Sequence, residues 1–197
     1  MPLHPLVKQA ARSSETKQRV ITRLKMQTHD APAGRYEFAV YEWRFHGIKE
    51  DLVLQPIASS EAITLRLGRL LEKAEDTAAD EQETPDSRVW DELDVQHHQL
   101  WFEARSMHRQ ETQELAAYRR ESLSTSHQAR IALLKEQLEQ ASNENIQRMR
   151  QSQIAAAEAD YKRRAQELDS AMERADVIAD PVAYGILDIE DYGSEEV

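Results

Sequence analysis

The sequence contains no cysteine. That excludes disulfides, thiolate zinc sites and cysteine nucleophiles, and it fits a reducing compartment. Glycine is scarce, with five residues, and neither a dinucleotide fingerprint nor the GxxxxGK[ST] loop that cradles phosphates is present. No stretch approaches the roughly 18 consecutive apolar residues of a membrane span. The first residues, Met1 to Val7, lack the charged and apolar blocks of a signal peptide. These absences predict a cytoplasmic protein with no membrane partner. The most informative absence lies between Pro85 and Pro181, where there is neither proline nor glycine and Ala, Leu, Glu, Gln, Arg and Lys dominate. Nothing there forbids helix. Ordinary helices run about 11 residues, so the stretch predicts a long helical arm.

The chain has 197 residues, enough for one domain and an extension. Hydrophobic content of 40% with a mean hydropathy of -0.73 is lean for a globule but normal for a coiled coil, whose seam uses about two positions in seven. The net charge of -11 repels free nucleic acid on average. Its distribution is uneven. Lys8, Arg12, Lys17, Arg19, Arg23 and Lys25 make the first residues basic, whereas Asp188, Glu190, Asp191, Glu195 and Glu196 make the last ones acidic. This pattern predicts a phosphate-tolerant head and a solvated tail.

The expected fold class is α+β, mostly α: a small head of helix, β-hairpin and helix, followed by a long antiparallel helical hairpin, a coiled coil. The head covers residues 1–76. Residues 5–28 read as a helix through Leu6, Val7, Ala10, Ala11, Val20, Ile21 and Leu24. Residues 35–46 alternate Tyr36, Phe38 and Val40 with Ala39, Tyr41, Trp43 and Phe45, a strand with both faces partly covered. Leu52, Val53, Leu54 and Ile57 form the return strand, placed at an edge by Pro56. A helix capped by Ser59 or Ser60 and led by Glu61 covers the hairpin. Residues 77–86 are an acidic hinge, 87–178 the arm and 179–197 an acidic tail.

Within the arm, Ile131, Leu134, Leu138 and Ala141 make one heptad-like stripe. Tyr161, Ala165, Leu168, Met172 and Ala175 make a second. Between them Ser142 and Asn143 favour a helix start over a helix interior, which predicts a reversal near 141–145. A fold-back centred on residue 143 sets Leu115 against Ala171 or Met172, and Tyr118 against Leu168. The seam is then Leu115, Ile131, Leu134, Leu138, Tyr161, Leu168 and Met172. The start of the arm, with Trp90, Leu93, Leu100, Trp101 and Phe102, buries itself on the head.

No residue pattern specifies catalysis. Asp91-Glu92-Leu93-Asp94 lacks a phosphate loop and reads as a solvated helix face. His97 and His98 are adjacent and diverge on a helix, and there is no H-E-x-x-H, so no metal site is expected. Ser124, Ser126 and His127 have no acid partner and no strained turn to present a nucleophile. The expectation is no enzyme activity, no cofactor and no small-molecule substrate. Arg119-Arg120, Arg148/Arg150 and Lys162-Arg163-Arg164 sit among Glu and Gln as coiled-coil flanks do. The Tyr41/Trp43/Phe45 row reads as core, not as a base-stacking platform.

The motif His4-Pro5-Leu6-Val7, the hairpin containing Tyr41-Glu42-Trp43-Arg44-Phe45-His46-Gly47, the arm segments Arg130 to Leu134, Arg148 to Ile154 and Ala157 to Tyr161, and the closing Arg174 to Ala179 with Pro181 to Gly185 resemble one family region. It is the region following the ATPase core in bacterial Swi/Snf-type (RapA-like) superfamily-two helicases, some of which belong to phage-defence systems such as DISARM. Both ATPase lobes are missing from this chain, so no catalytic residue carries over. The resemblance implies a non-catalytic accessory module that docks on a helicase-type ATPase and contacts DNA or a second protein. In that reading Trp43, Trp101 and Phe102 form the head–arm interface, and Lys17, Arg19, Arg23 and Lys25 are the nucleic-acid-binding candidates. The alternative is a self-associating coiled-coil scaffold without a motor, since the same stripe can pair between chains.

Overall fold

The computed structural model describes residues 21–76 and 87–191. In chain order the elements are β1 (Ile21–Gln27), β2 (Gly34–His46), β3 (Asp51–Ala58), α1 (Glu61–Thr64), α2 (Leu67–Lys73), β4 (Glu75–Asp76), α3 (Ser87–Glu139), α4 (Glu144–Glu173) and β5 (Asp176–Glu190). The fold is mixed, mostly helical, with one long helix and one sheet. The sheet order is β3-β2-β5-β1-β4. β1 pairs with β5 in parallel, Ile21 opposite Tyr184 through Gln27 opposite Glu190, and with the short β4 in antiparallel. Contacts of Phe38 with Gly185, Tyr41 with Tyr184 and Arg44 with Asp180 run in opposite chain directions, so β2 and β5 are antiparallel. The short connection between β2 and β3 admits only antiparallel pairing. No helix among the described residues is long and apolar enough to cross a membrane.

The chain divides into two compact units. One comprises described residues of 21–44, 52–104 and 178–191, the other residues 45–51 and 105–177. We call them the sheet unit and the helical unit.

In the sheet unit, one sheet face packs Leu24 and Met26 of β1, Phe38 and Val40 of β2, and Ala183, Leu187 and Ile189 of β5 against Ile63, Leu67, Leu70 and Leu71 of α1 and α2. Each large side chain sunk there contributes roughly 1.5–3 kcal/mol relative to exposure. Four successive residues of β2, Phe38 to Tyr41, are buried, because both faces of this strand are covered. Pro56 lies in β3, which is an edge strand, where a missing N–H costs no ladder bond. The covering helix is split into α1 and α2, with Leu65 at the break 83% exposed. Ser60 occupies the N-cap of α1 without a side-chain capping bond. Thr64 Oγ1 instead accepts from the Ala58 amide at 2.9 Å and bonds the Ser60 carbonyl at 3.0 Å.

Two expectations are corrected. The predicted helix over 5–28 lies outside the described residues up to residue 20, and residues 21–27 are strand. Thr22, Leu24 and Met26 are buried while Lys25 and Gln27 are exposed, a period of two that the helical reading of Val20, Ile21 and Leu24 overlooked. The predicted tail over 179–197 instead contributes most of β5. Five successive residues there, Ala183 to Leu187, are buried. A strand covered on both faces reads as a continuous apolar run, not an alternation, and Pro181 and Gly185 disguise it as loop. The hinge at 77–86 lies outside the described residues.

Gly185 is required by close approach. A Cβ there would lie 2.3 Å from Phe38 Cζ and 2.6 Å from the Thr22 carbonyl oxygen. The backbone contact cannot rotate away. Gly185→Ala is therefore expected to destabilise the sheet unit by about 1–3 kcal/mol. All three tryptophans, Trp43, Trp90 and Trp101, belong to this unit, so denaturant unfolding followed by tryptophan fluorescence reads the effect. An unchanged midpoint would refute the crowding.

Candidate functional site

The second face of the sheet meets the first turns of α3. Trp90, Leu93, Asp94 and His97 recur at helical spacing, which puts them on one side of the helix. Trp90 and Leu93 are buried. Opposite them, β2 supplies Tyr41 and Trp43, and β5 supplies Tyr184. Trp90 meets the Tyr184 ring edge-on at 5.5 Å. Tyr184 Oη donates to Asp94 Oδ1 at 3.1 Å, and Tyr41 Oη donates to the same oxygen. The Tyr41 ring stacks on His97, with centroids 3.4 Å apart and planes 6° from parallel. Trp43 Nε1–H donates to His97 Nε2 at 2.9 Å.

Each shift in acidity follows from this packing. Burial pushes the Tyr41 hydroxyl well above the ordinary phenol range, and its bond to Asp94 adds to the effect. Burial lowers His97 to about 4, against an opposing attraction from Asp94 and with a small reinforcing repulsion from His98. The imidazole is thus neutral near pH 7, and its Nε2 lone pair accepts from Trp43. Tyr, Asp and His together suggest proton transfer, yet here the Tyr41 and Tyr184 hydroxyls and the Trp43 N–H are engaged by partners within the cluster. The arrangement fastens a helix to a sheet. It also corrects the reading of Asp91 to Asp94 as a solvated face: Asp94 is half-buried and takes two tyrosine hydroxyls.

The expected interface residues separate. Trp43 is buried and holds His97. Trp101 is half-buried and its ring tilts against His98 at 5.3 Å. Phe102 is 61% exposed, and Leu100 is exposed as well. The burial expected of them is met by Trp90 and Leu93; residues 90, 93, 94 and 97 lie along one side of α3, and 102 turns away from it.

Lys17 and Arg19 lie outside the described residues. Arg23 and Lys25 are two apart on β1 and share a strand face. Lys25 Nζ pairs with Glu190 at 2.5 Å, and that bond, with one from Gln27, holds the Glu190 carboxyl below its usual range. His29 Nδ1 lies 3.2 Å from Asp191 Oδ1. The parallel pairing therefore sets acidic residues of β5 beside basic residues of β1, and the expected separation of basic head from acidic tail does not exist among the described residues. A surface crevice of about 680 Å³ at this end is lined by both signs, Lys25 and Lys73 with Asp30 and Glu75.

In the helical unit, Arg105 grips Asp176 through two bonds of 2.5 and 3.0 Å, and that contact lowers the Asp176 carboxyl. Arg109 Nε donates to the Ala175 carbonyl at 3.2 Å. His108, buried, donates Nε2–H to the His46 carbonyl at 2.8 Å, and Phe45 meets its ring edge-on. Gly47, at φ +148°, takes a backbone conformation that L side chains rarely adopt, and a Cβ there would press on Thr112 at 3.3 Å.

α3 stops at Glu139, and Asn143 caps α4 by accepting from the Asn145 amide at 2.8 Å. Leu134 is buried; Leu115, Ile131, Leu138, Tyr161, Leu168 and Met172 are half-buried. His127 stacks on Tyr161 at 4.4 Å, and Arg120 bonds Asp169. Both contacts fall further along α4 than a fold-back centred on residue 143 predicts. Tyr118, 71% exposed, lies off the inward stripe. Three of the basic residues are drawn into acids of their own helix: Arg148 to Glu144, Arg163 to Asp160 and Glu167, Arg164 to Asp160. Ser124 Oγ accepts from Gln128, and His127 faces Tyr161. Among the described residues no group of three or more His, Cys, Asp or Glu could hold a metal ion.

The His97 environment gives a pH test. The unfolded imidazole takes a proton near 6.5 and the folded one only near 4. Between these values the unfolded state binds more protons, so stability falls as pH drops from about 6.5 toward 4. His97→Gln keeps an acceptor for Trp43 without titrating. Melting temperatures by tryptophan fluorescence should drop less over this window in the variant than in the wild type; parallel curves would contradict the assignment.

Compared with known proteins, the chain matches no family model and no curated protein.

Proposed function

We propose that this chain is a non-catalytic accessory module of a Swi/Snf-type DNA helicase or translocase, acting in the cytoplasm, in which the sheet unit docks on the motor and the helical unit contacts a second protein or DNA. The family resemblance supplies the motor. The observation that supports the module reading is the use of the Tyr41–Asp94–His97–Trp43 cluster to fasten α3 on the sheet. We also infer that α3 and α4 form an antiparallel coiled-coil hairpin. The half-buried stripes, the Arg120–Asp169 pair and the His127–Tyr161 stack support it.

Recovery of a superfamily-two ATPase with the tagged chain from native cytosol is the expected result. Recovery of the chain alone would instead favour the self-associating scaffold, a reading to which the exposed Leu133, Ile146 and Met149 lend support.

DNA contact, in this reading, comes chiefly through the partner. Lys25 is occupied by Glu190, so Lys25→Gln should leave the salt dependence of duplex binding unchanged. Joint replacement of Lys17, Arg19 and Arg23 by Gln should flatten the log–log salt slope by about one for each phosphate no longer neutralised. Fluorescence anisotropy across a salt series measures both. A slope altered by Lys25→Gln and untouched by the triple change would remove these residues from the proposed role.

A further inference from the structure

We propose that Arg150 makes the loop-proximal end of the α3–α4 pair a labile segment that opens locally, on a helical unit that is firm at its other end. The proposal rests on the hairpin reading above. Along α4 the half-buried stripe changes character. From Ala157 onward it carries Tyr161, Ala165, Leu168 and Met172, whereas its first positions mix the polar Gln147, Arg150 and Gln153 with Ile154. The matching part of α3 still offers Leu134, buried, and Leu138, half-buried. The apolar stripe of α3 therefore meets one into which a charged residue, Arg150, is set. Gln147 Nε2 is satisfied by the Ala141 carbonyl at 2.7 Å. Arg150 donates from one Nη to Gln153 Oε1 at 2.8 Å, but its Nε–H is shielded from solvent and has no acceptor.

A guanidinium carries a fixed charge and a planar fork of donors, each of which needs an acceptor when it is shielded from water. Shielding one donor without a partner costs free energy, and a neutral amide offsets little of the cost of burying the charge. Local opening restores water to Nε. The other end of the unit carries no such penalty. There Arg105 pairs with Asp176, Arg109 reaches the Ala175 carbonyl, and His108 reaches the His46 carbonyl. Opening free energies follow differences of this kind along a structure.

Amide hydrogen exchange on the full chain tests it. In the wild type, amides of residues 149–156 should exchange on the order of tenfold or more faster than those of residues 160–172. Arg150→Met, which keeps helix propensity and fills the same space with apolar atoms, should slow the first group about tenfold and leave the second unchanged. Arg148→Met, at an exposed neighbour paired with Glu144, should produce no such slowing. Equal protection of both groups in the wild type, or unchanged or faster exchange in Arg150→Met, would overturn the proposal and leave the hairpin standing. Fast exchange through residues 160–172 as well would overturn the hairpin and the proposal together.

Discussion

The parallel pairing of β1 with β5 is the constraint on which the sheet depends. β5 lies between β2 and β1 and is buried on both faces through its central run. Its Ala183, Leu187 and Ile189 complete the core under α1 and α2, while Tyr184 on the other face takes part in holding α3. A parallel neighbour cannot be reached by a tight turn. Here every other element of the fold lies between the two strands in sequence, so their pairing is a contact of long range. Folding of the sheet unit is therefore dominated by contacts distant in sequence.

Each unit fixes its own part of the helices. Asp94 and His97 fasten the start of α3 within the sheet unit. Arg105 and Arg109 of α3 meet Asp176 and Ala175 at the entry to β5, which fixes the end of α4 relative to the middle of α3 within the helical unit. In the sheet unit the hydroxyls of Tyr41 and Tyr184 and the Trp43 N–H are engaged within the chain.

What was legible in the sequence was whatever local chemistry dictates. The aromatic alternation of residues 36 to 45, the edge position of Pro56, the acidic helix start at Glu61 and the capping Asn143 each act over a few residues, and each has its counterpart in β2, β3, α1 and α4. β1 and β5 were not legible. Arg23, Lys25 and Gln27 suit a helix as well as a strand, and only β5 alongside them decides the matter. Pro181 and Gly185 resemble loop residues until Phe38 is seen to occupy the space a Cβ would need. The Asp94–His97 cluster was hidden because acids and histidines on a helix usually face water, and its tyrosine partners lie on strands far away in sequence.

Because the chain has no cysteine, the strand pairing can be tested with a single introduced thiol pair. Lys25 and Asp188 stand opposite each other in the parallel register, within the roughly 4.4–6.8 Å between Cα atoms that a disulfide spans. The chain carrying Lys25→Cys and Asp188→Cys should form an intramolecular disulfide readily under mild oxidation. A control carrying Lys25→Cys and Val182→Cys, displaced by about 3.3 Å per residue along β5, should not. Cross-linking in the first chain alone is the result this account predicts. Failure of the first pair, or equal cross-linking in both, would contradict the register and with it the sheet on which the rest of the structure is built.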